Sequence, residues 1–179
     1  MNQAEVKPRA ACIVCGARRA APMYKGLVRC LDCGMVWADL DLTEAQVQGL
    51  YGQEYFFGGE YADYLAEEEV FRRNFQRYIP ILRRHSAGGN LLELGCAYGF
   101  FLDQCRPYWK VMGVDINPEA CAHAAKTFGL DARAGDVLTM DLEPGSFDVA
   151  CTWATLEHLH KPAETIARIA GLLRPGGLF

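Results

Sequence analysis

The sequence predicts an α/β protein in which a doubly wound parallel sheet is preceded by a small four-cysteine ribbon. Three observations lead there. Two CxxCG motifs lie close together near the start. From Asn90 onward, short apolar runs alternate with helical stretches, the pattern of parallel strands joined by crossover helices. The first of those runs passes into Gly95-Cys96-Ala97-Tyr98-Gly99, a glycine loop at the strand-to-helix junction where such sheets hold ligands.

Size and composition agree. A chain of 179 residues with a hydrophobic fraction of 51% has room for one medium domain and a module of a few dozen residues. No apolar run is long enough for a membrane span, and the opening MNQAEVKPRA has no secretory apolar stretch. Eight cysteines without an export signal point to the cytoplasm, where thiols bind metal or stay reduced. The overall charge of -4 hides an asymmetry. Residues 1–37 carry Lys7, Arg9, Arg18, Arg19, Lys25 and Arg29 against Glu5 and Asp32, so a basic module sits on an acidic body.

The division expected is a ribbon over 1–38, a helical connector or cap over 39–87 and a ligand-binding domain over 88–179. In the ribbon, Cys12-Ile13-Val14-Cys15-Gly16 and Cys30-Leu31-Asp32-Cys33-Gly34 each aim two sulfurs at one point. Together they supply four soft ligands for a closed tetrahedron, the pattern of a structural zinc ribbon, with iron as the alternative metal. Gly16 and Gly34 allow the tight turn after each pair. Met23, Tyr24, Leu27 and Val28 read as a hairpin between the knuckles, and Met35-Val36-Trp37 as a further strand.

In the connector, Thr43 and Gln46 have the spacing of a capping box. Tyr61, Tyr64, Leu65, Phe71, Phe75, Tyr78 and Leu82 recur every three or four residues, which predicts one long amphipathic helix. Glu68–Arg72 and Glu69–Arg73 pair along its outer face, Pro80 kinks its end, and Gly88 and Gly89 close it. Tyr51, Tyr55, Phe56 and Phe57 before it either line a substrate pocket or pack the ribbon on the body.

In the sheet domain, Leu91–Leu94 is a strand and Phe100-Phe101-Leu102 opens a helix ending near Pro107. Lys110–Asp115 is a second strand finishing on an acid. Asn117 caps the next helix with Pro118 first and Gly129 closing it. A short third strand reaches Gly135-Asp136-Val137, Phe147–Thr152 is the fourth, and Pro162 to Leu173 is a helix with Ile166, Ile169, Leu172 and Leu173 inward. Glu93, Gly95, Asp115, Asp136 and Trp153 all fall at the carboxyl ends of strands, where ligands bind. Phe100 at the last position of the loop departs from a dinucleotide fingerprint. Glu93 would repel a pyrophosphate and attract a cation, and Asp115 is placed to accept hydrogen bonds from ribose hydroxyls. The pattern asks for a nucleoside with a positively charged tail.

From Leu91 to Phe179 the chain closely resembles the class I S-adenosylmethionine-dependent methyltransferases, whose fold is Rossmann-like. LLELGCAYG resembles the family's first motif with Ala97 at its usual middle glycine; VDI, GDV, FDVACTWATLEHL and LLRPGG follow in family order. The resemblance implies that Glu93, Gly95, Ala97, Gly99, Asp115, Asp136, Val137 and Trp153 hold S-adenosylmethionine, with Asp136 meeting the adenine amino group. A four-cysteine ribbon joined to this domain is similar to methyltransferases of sugars and other small metabolites. His158 and Glu157, after the fourth strand, are the candidate catalytic residues; a neutral imidazole can take the acceptor's proton. Cys96, Cys105, Cys121 and Cys151 read as packing residues. The chain stops at Leu178-Phe179, where the fifth strand should start, so it reads as a piece of a longer product with one sheet flank open.

Three functions follow in order of fit. The first is a methyltransferase of a small molecule. The second is an RNA methyltransferase whose basic ribbon grips phosphates. The third is a ribbon that docks on protein or nucleic acid beside a sheet domain that binds no cofactor.

Overall fold

The computed structural model describes residues 9–40, 42, 43, 46, 49, 50, 55–59 and 63–179. Three antiparallel strands form the ribbon: β1 (Ala20–Tyr24), β2 (Leu27–Cys30) and β3 (Val36–Ala38), in that order. Its core is minimal, with Cys12, Cys30 and Trp37 buried and Ile13, Ala17, Val28 and Met35 packed around them. Met23 and Tyr24, expected in the hairpin's apolar content, are exposed. So few buried side chains leave the four sulfurs to hold the module together.

The expected long helix is two. Helix α1 (Glu68–Phe75) ends in a turn, and α2 (Ile79–His85) carries Pro80 in its first turn. Proline lacks the amide that would bond back to the preceding turn, and its ring opposes the carbonyl four residues earlier, so the helix restarts instead of bending. One apolar face still runs across the break, because Phe75, Ile79 and Leu82 enter the same core. Helix α2 ends three residues before Gly88, on an extended Ser86. On the outer face Arg72 bonds Glu68 at 2.5 Å and Arg73 bonds Glu69 as the spacing requires. Arg72 also reaches Asp103 at 2.8 Å, clamping α1 to the sheet domain. Thr43 and Gln46 make the reciprocal bonds of a capping box. Tyr51 and Tyr61 lie outside the described residues.

The sheet domain is five parallel strands in the order β6-β5-β4-β7-β8. They are β4 (Asn90–Leu94), β5 (Lys110–Asp115), β6 (Asp131–Ala134), β7 (Phe147–Thr152) and β8 (Leu173–Leu178), joined by α3 (Phe100–Cys105), α4 (Pro118–Phe128) and α5 (Pro162–Leu172). Leu91, Leu92, Val114 and Val149 are fully buried, as expected of strands covered on both faces. Asn117 caps α4 through two backbone amides, and Gly129 closes it at φ 66°.

Two expectations change here. A fifth strand is present, since β8 begins at Leu173, directly after α5, and pairs with β7. The sheet therefore runs one strand further than expected, and β8 is itself its edge. Its Pro175-Gly176-Gly177 stretch falls in an irregular register between Phe147 and Val149, where an edge strand tolerates proline. On α5 the inner row is Thr165, Ile169 and Leu172, while Ile166 is exposed. No helix among the described residues is long and apolar enough to cross a membrane.

Candidate functional site

The carboxyl ends of β4, β5, β6 and β7 open into one cavity of about 820 Å³, within the usual size of a small-molecule site. The glycine loop forms one side. Gly95 and Cys96 both donate backbone N–H to the Val114 carbonyl, which pins the loop to β5. Gly95 sits at φ 75°, and a Cβ there would run into the Thr155 hydroxyl. Ala97 takes the left-handed φ of 43° that glycine adopts more cheaply, and its N–H donates to Asp115 Oδ2 at 2.8 Å.

Of the eight residues implied to hold a cofactor, Gly95, Ala97, Asp115, Asp136, Val137 and Trp153 line this cavity. Asp115 also accepts from the Asn117 N–H at 2.9 Å. Burial pushes its carboxyl up, and the amides of Asn117 and Ala97 pull against that. Asp136 both borders the cavity and caps the next turn, accepting from the Leu138 N–H at 2.9 Å. Glu93 and Gly99 are not among the lining residues. Glu93 is 2% exposed, and its Oε2 has no hydrogen-bond partner among the described residues. Burial, then the nearby Asp115 charge, hold its carboxyl well above the usual range. Gly99, at φ 83°, is a packing glycine: a Cβ would press on Leu130 and Ala124 of the α4 region.

The far side of the cavity is aromatic. Tyr55, Phe56, Tyr64, Phe71, Phe75 and Tyr78 line it from the segment before the sheet, with Asn74 between them. Trp153, at the tip of β7, lies 4.4 Å from Tyr78 and 5.2 Å from Phe101 between ring centroids. Tyr55 and Phe56 pack on the body, with Phe56 against Tyr98 at 5.3 Å. His158 lines the cavity 6.3 Å from the Tyr55 ring; Glu157, exposed like His158, is not among the lining residues.

Nothing in the sequence singled out Lys161 or Arg9 as part of the site, whereas His160, like His158, follows the fourth strand. His160 and Lys161 also border the cavity, and Arg9 bonds His160 from the ribbon's edge, a partner separated by most of the chain. The four other cysteines are buried, and burial pushes Cys105 up and Cys151 up to about 12, so those two stay as thiols.

In the ribbon, the ligand atoms of Cys12, Cys15, Cys30 and Cys33 all lie within 4.8 Å of one another. Cys12 and Cys33 are 3.6 Å apart, as are Cys15 and Cys30. A tetrahedral ion with metal–sulfur bonds of about 2.3 Å needs sulfurs about 3.8 Å apart, so the set fits. Both knuckles turn alike: Gly16 N–H donates to Cys12 and Gly34 N–H to Cys30, at φ 72° and 80°.

Residues 65–179 match a methyltransferase domain family. A probable S-adenosylmethionine-dependent methyltransferase of Mycolicibacterium smegmatis is 31% identical over 117 residues, 64% of this chain and 46% of that protein. A ubiquinone biosynthesis O-methyltransferase of Burkholderia vietnamiensis is 32% identical over 101 residues, 52% of this chain and 43% of that protein. The chain therefore spans under half the length of these relatives. Among solved structures, the phosphoethanolamine N-methyltransferase 2 of Haemonchus contortus, bound to phosphomonomethylethanolamine and S-adenosylhomocysteine, shares the fold with a TM-score of 0.60 at 22% identity. That alignment covers 77% of this chain and 35% of the worm enzyme. A putative methyltransferase from Methanococcus maripaludis aligns with a TM-score of 0.54 at 16% identity, over 63% of this chain and 58% of that one. With the parallel sheet, the glycine loop and the strand-tip carboxylates in family order, the chain belongs to the methyltransferase domain family.

Proposed function

We propose that this chain is the cofactor-binding part of an S-adenosylmethionine-dependent methyltransferase that acts on a small molecule, with a structural zinc ribbon at its start. The observation that carries the reading is the division of one cavity into two halves. On the β5–β6 side stand the glycine loop and the carboxylates of Asp115 and Asp136; on the β7 side stand aromatic rings and His158. S-adenosylmethionine supplies an electrophilic methyl group on a sulfonium when bound. Asp115 accepts from its ribose hydroxyls, Asp136 from the adenine amino group, and Val137 covers the base. Glu93 is a buried carboxyl beneath the loop, and the cofactor's positive charge would favour its ionised form. Gly95 and Ala97 bring backbone close to the ligand.

His158 takes the acceptor's proton; Glu157, exposed beside it, stands outside the cavity lining. Alignment and exclusion of water supply most of the acceleration, because the displacement forms no charge that needs a dedicated partner. The ring-lined, largely apolar acceptor half favours a small molecule over RNA. Zinc is the metal that suits four thiolates with no open position.

Calorimetric titration with S-adenosylhomocysteine tests the reading. Saturable binding by the wild type and a loss of affinity of about tenfold or more in Asp115→Ala are expected. Absence of heat from a folded wild-type protein would overturn it.

A further inference from the structure

We infer that the methyl acceptor is a planar aromatic molecule carrying a hydroxyl, held against the rings at the β7 end of the cavity with that hydroxyl toward His158. The inference deepens the methyltransferase reading and rests on it.

Sheet order separates the two halves. β6 and β5 lie on one side of β4, and β7 lies on the other, so Asp136 and Asp115 are at one end of the cavity and Trp153 at the opposite end. At the Trp153 end the rings form a connected wall. Phe75 and Tyr78 stand 6.0 and 4.4 Å from Trp153, and Phe101 backs it from the core. Tyr78 is 41% exposed, which puts its ring within reach of an entering molecule.

Charge excludes the competitors. Among the described residues, the carboxylates lining the cavity are Asp115 and Asp136, both at the cofactor end, so an ammonium acceptor would have ring faces but no counter-ion. The cationic side chain lining it is Lys161, which is 54% exposed and lies 3.8 Å from Glu164, too little to hold a phosphate dianion. A sugar would bring several hydroxyls, each costing about 1–3 kcal/mol if buried without a partner. Against them this end offers Tyr55, Asn74, Tyr78, Thr155, His158 and His160, of which Thr155 already donates to the Trp153 carbonyl and His160 is bonded to Arg9. A flat ring with one or two hydroxyls matches both the wall and the few polar groups, since ring-on-ring contact supplies affinity and one hydrogen bond sets orientation.

The chemistry balances with groups at hand. The hydroxyl oxygen forms a bond to the methyl carbon as the carbon–sulfur bond breaks, its electron pair leaving on sulfur as a neutral thioether. The hydroxyl proton passes to the His158 imidazole, and a methyl ether remains.

The test uses the full chain saturated with S-adenosylhomocysteine and titrated with catechol, ethanolamine phosphate and uridine diphosphate glucose in turn. Catechol is expected to give saturable heat and the other two none. Tyr78→Ala should weaken catechol about tenfold, the size of one lost ring contact, and Tyr78→Phe should restore it, with S-adenosylhomocysteine affinity unmoved in both. Binding of ethanolamine phosphate or the sugar nucleotide in place of catechol, no binding by any of the three, or equal catechol affinity in all three proteins would each overturn the inference while leaving the cofactor reading standing. If S-adenosylhomocysteine itself fails to bind, the cofactor reading falls and takes this one with it.

Discussion

The Arg9 guanidinium lies 2.7 Å from His160 Nδ1, joining positions 151 residues apart. A guanidinium can only donate, so Nδ1 accepts and the ring proton sits on Nε2. Arg9 is itself held: its backbone N–H donates to Asp39 at 3.0 Å and its Nε–H to the Leu40 carbonyl at 2.9 Å. The edge of the four-cysteine ribbon is thereby tied to the loop that carries His158. Arg9→Ala is expected to cost about 1–2 kcal/mol and to speed amide hydrogen exchange across residues 156–161 while β4 keeps its protection. Equal exchange in that loop would show that the tie does not order it.

Glu93 gives a pH dependence with a definite sign. Its carboxyl is raised well above the unfolded value by burial and by Asp115, so the folded protein binds its proton more tightly. That contribution to stability is full below the unfolded value near 4.5 and is lost as pH rises through the folded one. Without cofactor, the melting temperature should fall on going from mildly acidic to alkaline solution. Glu93→Gln, which keeps shape without charge, should flatten the fall. A wild-type profile no steeper than the variant's would remove Glu93 as its source.

A cationic ligand reverses that preference, because it favours the ionised carboxylate. Binding of S-adenosylmethionine should release protons, read as a dependence of calorimetric heat on the buffer's ionisation enthalpy. The neutral thioether S-adenosylhomocysteine should release fewer. The same release with both ligands would assign the protons to some other group.

The ribbon prediction concerns metal. Cys30→Ser removes a buried ligand from a module with three buried core residues, Cys12, Cys30 and Trp37. The wild type should carry one zinc ion per chain, released by a chelator, and the variant should carry almost none and expose residues 12–38 to protease. Retention of metal by the variant would mean that three sulfurs suffice.

Much of this was readable along the chain wherever the signal was local. The β5 boundary could be read because an apolar run ends on Asp115, and α4 because Asn117, Pro118 and Gly129 each have one conformational use. The break at Pro80 was harder, since the two helices share one apolar face and periodicity runs through the gap. Ile166 was misread because Thr165, a polar residue, takes the inner position on α5 and donates its hydroxyl to the Lys161 carbonyl at 3.0 Å. Start of β8 inside LLRPGG was masked by proline and glycine, which an edge strand accommodates in an irregular stretch. Nothing near Arg9 points to His160; such a pairing exists only once both ends of the chain have been folded onto the same edge.

Helix α5 ends at Leu172 and β8 starts at Leu173, so the return crossover has no slack. Deleting one residue from that helix would turn everything beyond it by about 100° about the axis and swap the two faces of the strand that follows. Elsewhere in the molecule a loop could absorb such an error; here helix and strand behave as a single rigid crank, and length variation at this junction is the kind the architecture has no means to forgive.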